Sequence, residues 1–382
     1  MLTWRLRLFY TSYFLVLGVM QPYWPLWFAY KGMDAAAIAW LSALPSLVRI
    51  VSVPAIGVLA DRLGERKRVV LALNVMAIIF FLGFIGADSF WAILLVSLPY
   101  GAMWAGILPL GDNLAVTASY RDKLDFGRIR LWGSISYICA AALAGWFLAG
   151  RSAGLIYWLL LGASLLLACG SFALPDTRTT PAKRDDGPSP WRKLLATPLF
   201  VLFLLGQGCA QASHAMYYAF GSLYWRGLGH SEAVIGILWG EGVIAEVIVF
   251  AFGARLLARL GPQGMLLLGA AGGIVRWTGS AFATDLWQLA LLQALHGLTF
   301  GAAYLGAMHF MARFIRMEAS ATAQSVYSAM SQGLGLGLGF IAVGPLYAAY
   351  AGHAYLAMTV LSAIGTLGAF FLLRRWGDRV AG

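Results

Sequence analysis

Gly57-Val58-Leu59-Ala60-Asp61-Arg62-Leu63-Gly64-Glu65-Arg66-Lys67-Arg68 is a short charged turn between two long apolar stretches. A degenerate copy returns 197 residues later as Ala254-Arg255-Leu256-Leu257-Ala258-Arg259-Leu260-Gly261. Leu59, Arg62, Leu63 and Gly64 match Leu256, Arg259, Leu260 and Gly261 without a gap. The same offset pairs Gly32 with Gly229, Ile38 with Ile235 and Leu41 with Leu238. The chain therefore reads as two like halves joined end to end.

The surroundings of the turn give the solvent. Of 382 residues, 60% are hydrophobic and only 11% are charged, against roughly 25% charged in ordinary soluble domains. A water-soluble chain of this composition would expose large sticky patches, so its solvent is lipid. A helix needs about 20 apolar residues to cross the hydrocarbon. Twelve segments qualify, near 8–30, 36–60, 69–87, 90–118, 128–149, 153–174, 198–225, 232–254, 263–283, 286–312, 320–348 and 353–373. The expected fold is an all-α integral membrane protein of twelve transmembrane helices, in two pseudo-symmetric six-helix halves. The halves run over 1–174 and 198–382, with a Pro- and charge-rich cytoplasmic linker over 175–197. Met1 to Arg7 and the apolar run behind it resemble a signal peptide in outline, but no small-residue cleavage site follows, and the run is read as the first span.

The net charge of +11 first suggests nucleic acid, yet the basic residues form no single patch. With both termini inside, the inner loops hold 22 of the 27 Lys and Arg residues and the outer loops only Lys31, Arg151 and Arg226. That asymmetry places both termini in the cytoplasm and removes nucleic acid as a partner. Cys139, Cys169 and Cys209 all lie inside apolar spans, without metal-ligand spacing, and read as small buried hydrophobes.

Arg49 and Arg276 are the two bases left inside spans, with the acids Asp112, Glu241 and Glu246. An ionisable group at mid-bilayer costs about 2.5–3.5 kcal/mol on insertion scales, so each needs a reason. Three acids face two arginines, which leaves one carboxylate free to act as a proton carrier. Depth pairs Arg49 with Asp112 in the first half, within reach of a snorkelling arginine. In the second half Glu241, Arg276, His296 and His214 share one level, about 14–18 Å from the outer ends of their helices. Glu241 and Glu246 point about 140° apart on one helix. The repeat maps Arg49 onto Glu246, which would face each other if the halves are related by a two-fold axis. Each charge has an alternative use as a static pair that locks helices together.

Tyr23, Trp24, Trp27 and Phe28 in the first span, and Tyr217, Tyr218, Phe220, Tyr224 and Trp225 in the seventh, crowd the outer level. They read either as a headgroup belt or as a stacking surface for a ring-shaped ligand. Gln21, Gln207, Gln211 and Gln293 offer hydrogen bonds to a ligand or to a neighbouring helix. The Gly333–Gly339 run reads as close packing with freedom to bend, and Pro22, Pro25, Pro45, Pro54, Pro99 and Pro109 as kinks. No Walker loop, zinc spacing or nucleophile elbow occurs. Catalysis, ATP-driven work, a metal site and a cofactor are not expected, and an ion gradient is left as the energy source. Repeated bundles of this kind are the architecture of secondary transporters.

The turn at Gly57–Lys67 resembles the major facilitator superfamily signature G-x-L-A-D-R-x-G-x-R-K between helices 2 and 3. That resemblance makes Gly57, Asp61, Arg62, Gly64, Arg66 and Lys67 a cytoplasmic gate. Longer stretches resemble the 3-phenylpropionic acid permease group: Asp125 to Ser134, Pro109 to Asp112, His214 to Tyr218, Gly242 to Ile248, Val275 to Trp277, and Gln293 to His296. The resemblance implies a proton symporter in the bacterial inner membrane that imports a small aromatic carboxylate, expected to act as a monomer. Arg49, Asp112, His214, Glu246, Arg276 and His296 fall in matching positions, and Glu241 falls outside the pattern. Glu246, Asp112, His296 and Glu241 are the proton-coupling candidates. Arg49 or Arg276 would meet the carboxylate, with Tyr23, Trp27, His214, Tyr217 and Gln211 around the ring. A sugar or nucleoside symporter and a drug efflux carrier of the same fold are the alternatives.

Overall fold

The computed structural model describes residues 2–176, 190–315 and 320–380. Most of the expected linker, residues 177–189, lies outside them, as do Arg178, Lys183, Arg184 and Arg316 of the inner-loop count. The described residues are helical almost throughout. The first half holds α1 (Leu2–Tyr30), α2 (Ala35–Leu63), α3 (Arg66–Leu82), α4 (Phe90–Arg121), α5 (Phe126–Leu148) and α6 (Leu155–Phe172). α7 (Pro190–Leu195) falls within the expected linker, and behind it come α8 (Pro198–Ala212), α9 (Ala215–Gly227), α10 (Glu232–Ala251), α11 (Gly253–Phe282), α12 (Leu286–Ala294), α13 (Ala303–Phe314), α14 (Ser320–Ser328), α15 (Leu336–Tyr350) and α16 (Tyr355–Val380). α12 and α13 are joined through a π-helical turn at Gly297–Ala302, and α14 and α15 through another at Ala329–Gly335.

Ten stretches among the described residues are long and apolar enough to cross a membrane. One of them, Thr322–Arg375, contains a 3₁₀ turn at Ala351–Ala354 that separates α15 from α16. α1 is not among the ten, because its tyrosines, tryptophans, Gln21, Pro22 and Pro25 dilute its aliphatic content. The count of twelve spans rests on α1 and on the two helices of that last stretch. The surface is apolar too: Trp91 and Leu95 are 75% exposed and Trp146 is 73% exposed, as side chains bathed in lipid are. Cys139 and Cys169 are also exposed rather than buried. In lipid an apolar side chain has no reason to hide.

The 197-residue repeat has a backbone counterpart. Gly64 ends α2 at φ 63° and caps it by donating its N–H to the Ala60 carbonyl. Its copy Gly261 breaks α11 at φ 64°. Gly32 and Gly229, the other glycine pair, sit at φ 79° and 92°. These left-handed positions are where a side chain is strained. Ile38, Ile235, Leu41 and Leu238 are all buried.

Packing divides the chain into two compact units: Met1–Asp185 with Gly229–Gly240, and Asp186–Leu228 with Glu241–Gly382. In the first, α1 packs on α5 and α6, and α3 on α4 and α6. In the second, α8 packs on α16 and on the π turn at Ala329–Gly335, α9 on α15, and α11 on α13 and α16. The partner pattern repeats because the sequence does. The six prolines of α1, α2 and α4 are carried inside continuous helices. Close packing accounts for part of the Gly333–Gly339 run: a Cβ on Gly335 would stand 2.8 Å from the Gly208 carbonyl, and one on Gly339 2.9 Å from that of Ala212.

Two glycines of the opening motif are therefore expected to respond oppositely to substitution. Gly64→Ala forces a Cβ into the left-handed region and lowers stability by about 1–2 kcal/mol. Gly57→Ala, in regular helix with no atom within 4 Å of the new Cβ, raises stability by about 0.5–1 kcal/mol. Thermal unfolding of the purified proteins in detergent measures both.

Candidate functional site

The second unit carries the denser polar cluster, and its order begins with a break in the backbone. Between α8 and α9 the chain turns at Ser213 and His214. The His214 backbone N–H bonds the Gln211 carbonyl instead of that of Ala210. Ala210's oxygen is left to side chains: the Ser213 hydroxyl donates to it at 2.7 Å and His214 Nδ1 at 3.1 Å. Ser213 Oγ in turn accepts from Trp277 Nε1 at 2.9 Å. In a lipid-embedded bundle every such backbone group must be satisfied from within.

Arg276 of α11 lies at the centre and is 0% exposed. Its Nη1 donates to His296 Nδ1 and to Thr299 Oγ1, both at 2.9 Å, and its Nη2 donates to Gln293 Oε1 at 2.7 Å. The guanidinium stands 4.8 Å from the Tyr217 ring centroid and 4.4 Å from that of Trp277. Gln293 Nε2 donates onward to the Tyr217 hydroxyl at 3.0 Å. Thr299 Oγ1 also lies 3.3 Å from His214 Nε2.

Donor chemistry assigns the protons. A guanidinium has only donors, so His296 Nδ1 accepts and bears no hydrogen. The Ala210 carbonyl only accepts, so His214 Nδ1 bears one. With Thr299 receiving from Arg276, its own hydrogen is free to point at His214 Nε2. The chain then runs one way, from Arg276 through Thr299 and His214 to Ala210. The hydrogen bonds that hold the guanidinium go to neutral groups, so its positive charge is solvated by dipoles and by two aromatic faces.

The sequence placed Arg276, His296, His214 and Glu241 at one level. The structure brings the first three into one network. Glu241 is half-buried, and its charge acts on Tyr217. Glu246 is half-buried as well, with its charge acting on Tyr218. Gln211 is half-buried beside Gln332, at 3.5 Å. Thr299 was not foreseen. Gln293, His296 and Thr299 recur every three residues, which puts them on one helix face, and that spacing was the available signal.

In the first unit Asp112 accepts a hydrogen bond from the Tyr10 hydroxyl at 2.6 Å. Among the described residues no ion pair joins it to Arg49. The basic group that acts on Asp112 is Arg130, counted from the sequence as an inner-loop residue. Arg130 is a residue of α5, its guanidinium 4.1 Å from the Phe14 ring centroid and 5.4 Å from that of Tyr10. Depth along two helices cannot tell which helix stands beside which, and α1 and α5 pack directly. Arg49 is half-buried, and Tyr13 is the group its charge acts on.

Tyr23 and Trp27 belong to the interior of this unit, at 0% and 2% exposed. The Tyr23 hydroxyl donates to the Ala141 carbonyl at 2.7 Å and to the Glu232 carbonyl at 3.2 Å. Trp27 stacks on Trp24 with ring centroids 4.4 Å apart and meets Phe84 edge-on. Of the motif residues, Asp61 and Arg66 form an ion pair at 2.8 Å across the turn that Gly64 makes, while Arg62 is exposed and Lys67 half-buried.

Residues 3–357 match the model of the MFS_1 like family. The chain is 33% identical to the probable 3-phenylpropionic acid transporter of Escherichia coli (strain K12) over 368 residues, 94% of each chain. It is 28% identical to the maltose permease of Geobacillus stearothermophilus, over 99% of this chain and 96% of that one. Among solved structures, the D323A mutant of the nucleoside transporter NupG superposes with a TM-score of 0.85 at 18% identity, covering 98% of this chain and 99% of that one.

Thr299→Val keeps the shape of the side chain and removes the hydroxyl that joins Arg276 to His214. It is expected to cost about 1–3 kcal/mol, because both partners stay buried with a bond unmade. The loss appears as a lower midpoint in thermal unfolding.

Proposed function

The chain belongs to the MFS_1 like family and is a multi-pass secondary transporter of the major facilitator type, not an enzyme, and on that premise we propose that it imports a small aromatic carboxylate together with a proton. The observation that carries this reading is the buried Arg276 guanidinium, whose hydrogen bonds among the described residues go to the neutral groups of His296, Thr299 and Gln293. A charge held by dipoles and ring faces gains most from an arriving anion, since paired charges survive in a dry interior better than single ones. The rings of Tyr217 and Trp277 beside it suit an aromatic body. The 33% identity to a probable 3-phenylpropionic acid transporter points to the same chemistry.

A carboxylate and a proton entering together add no net charge, which removes the electrostatic cost of moving the load. Glu246 is the proposed proton carrier. Asp112, already hydrogen-bonded by Tyr10, is the second candidate, with His296 and Glu241 behind it. Arg49 is the alternative anion contact, and His214, Tyr217 and Gln211 line the same neighbourhood. Tyr23 and Trp27, the remaining ring candidates, are enclosed in the packing of the first unit. The two sequence halves, 1–174 and 198–382, would expose the site alternately to the two sides. Asp61, Arg62 and Arg66 would close the cytoplasmic side. The carrier would work as a monomer in the bacterial inner membrane, with both termini in the cytoplasm. It needs no cofactor, since the proton gradient supplies the energy. A neutral sugar or nucleoside is the second reading, favoured by the 28% identity to a maltose permease.

Proteoliposomes with an imposed pH gradient decide the matter. One proton coupled across one pH unit supports about tenfold accumulation, 1.4 kcal/mol. Wild-type protein is expected to accumulate 3-phenylpropionate to that order. Glu246→Gln is expected to lose accumulation while retaining exchange of internal for external substrate. Accumulation by Glu246→Gln would move the proton to Asp112. Accumulation of maltose or uridine instead of the acid would establish the second reading.

A further inference from the structure

Three helical passes of the second unit lose regular hydrogen bonding close together. α8 and α9 part at Ser213 and His214, and the two π turns run over Gly297–Ala302 and Ala329–Gly335. π turns are rare, and they recur at functional sites because they re-aim side chains at the expense of helix geometry. Broken helices deep in a membrane are tolerated where they line a cavity.

A small cavity lies there. Gln207, Gln211, Thr299, Tyr304, Tyr327 and Gln332 supply its polar lining. Thr299 belongs to the first π turn and Gln332 to the second, while Gln207 and Gln211 lie on the last turns of α8 before its break. Both π turns and the last turns of α8 thus border the same space.

The lining has a definite chemistry. It offers amide and hydroxyl groups, which both donate and accept, and among the described residues it contains no Asp, Glu, Lys or Arg. An ion has no counter-charge in it, and an apolar group would leave the amides unsatisfied. One contact within the lining is long: Gln211 Nε2 reaches Gln332 Oε1 at 3.5 Å, the weak end of the hydrogen-bond range. Thr299 connects the cavity to the charged cluster, since its oxygen accepts from Arg276 at 2.9 Å.

We propose that this cavity is a substrate subsite for an uncharged hydrogen-bonding group, a hydroxyl, so that the solute carries a neutral polar substituent besides the part that meets Arg276. The proposal rests on the transport of a small organic acid set out above. It narrows that class from plain aromatic acids to hydroxylated ones. The competing account is that the glutamines only tie helices together, in which case ligand chemistry at the cavity is irrelevant.

The test measures affinity on purified full-length protein in detergent, by quenching of tryptophan fluorescence. Two pairs of probes differ by one hydroxyl: 3-phenylpropionate against 3-(4-hydroxyphenyl)propionate, and 2′-deoxyuridine against uridine. The hydroxylated acid is expected to bind at least about tenfold more tightly than its partner. Gln332→Leu is expected to bring that ratio close to one, and Gln332→Asn, a gentler shortening should the leucine variant fail to fold, to reduce it severalfold. Acids that bind with a wild-type ratio near one while the nucleoside pair shows no preference either, or a ratio that survives both variants, overturn the subsite and leave the aromatic-acid reading standing. A preference found in the nucleoside pair alone and lost in Gln332→Leu keeps the subsite and overturns the aromatic-acid reading. Binding of neither pair overturns both.

Discussion

A guanidinium cannot be left bare in oil, and much of the second unit is arranged around that constraint. Arg276 is enclosed, and a bare charge there would cost several kcal/mol. Its neighbours answer with directed donors and acceptors. Gln293, His296 and Thr299 take its hydrogens, and Tyr217 and Trp277 offer their ring faces. The backbone adjusts to suit: the break at 213–214 frees the Ala210 carbonyl, which anchors His214 and so the far end of the network. The π turn at Gly297–Ala302 sets Thr299. Irregular backbone and buried charge are here one feature. Each would be costly without the other.

The first unit handles its half-buried charges differently. Asp112 is met by a tyrosine hydroxyl, and Arg130 rests against the rings of Tyr10 and Phe14. Aromatic residues are the main filler of this unit. Trp24, Trp27, Phe81, Phe84 and Tyr100 pack ring against ring. That explains why the crowd of aromatics at the outer end of the first span proved ambiguous. A stacking surface for a ligand and a stacked interior have the same composition, and only burial separates them.

The repeat was legible to an unusual depth because it is written in glycines. A left-handed φ excludes most side chains, so Gly32 and Gly229, and Gly64 and Gly261, keep their residue type at the same offset. Matching local conformation then carries matching packing, with α1 on α5 and α6 answered by α8 and α9 on α15 and α16. The helix count was less secure from hydropathy alone. α1 spends its length on aromatic and polar side chains, and α15 and α16 run together in one apolar stretch.

Amino-acid order by itself determined the lipid solvent, the 197-residue repeat, the turn that ends at Gly64, and the common depth of His214, Arg276 and His296. All four are properties of a single coordinate, distance along a helix of fixed rise, or of composition. Tertiary structure alone decided the rest: that Asp112 meets Tyr10 and not Arg49, that Arg130 rests against rings of α1, that Tyr23 and Trp27 are enclosed, and that Thr299 links two histidine-bearing segments through one arginine. Those outcomes depend on which helices stand side by side and how each is rotated. Lateral neighbours and rotation come from packing summed over whole bundles, and no local stretch of sequence contains them.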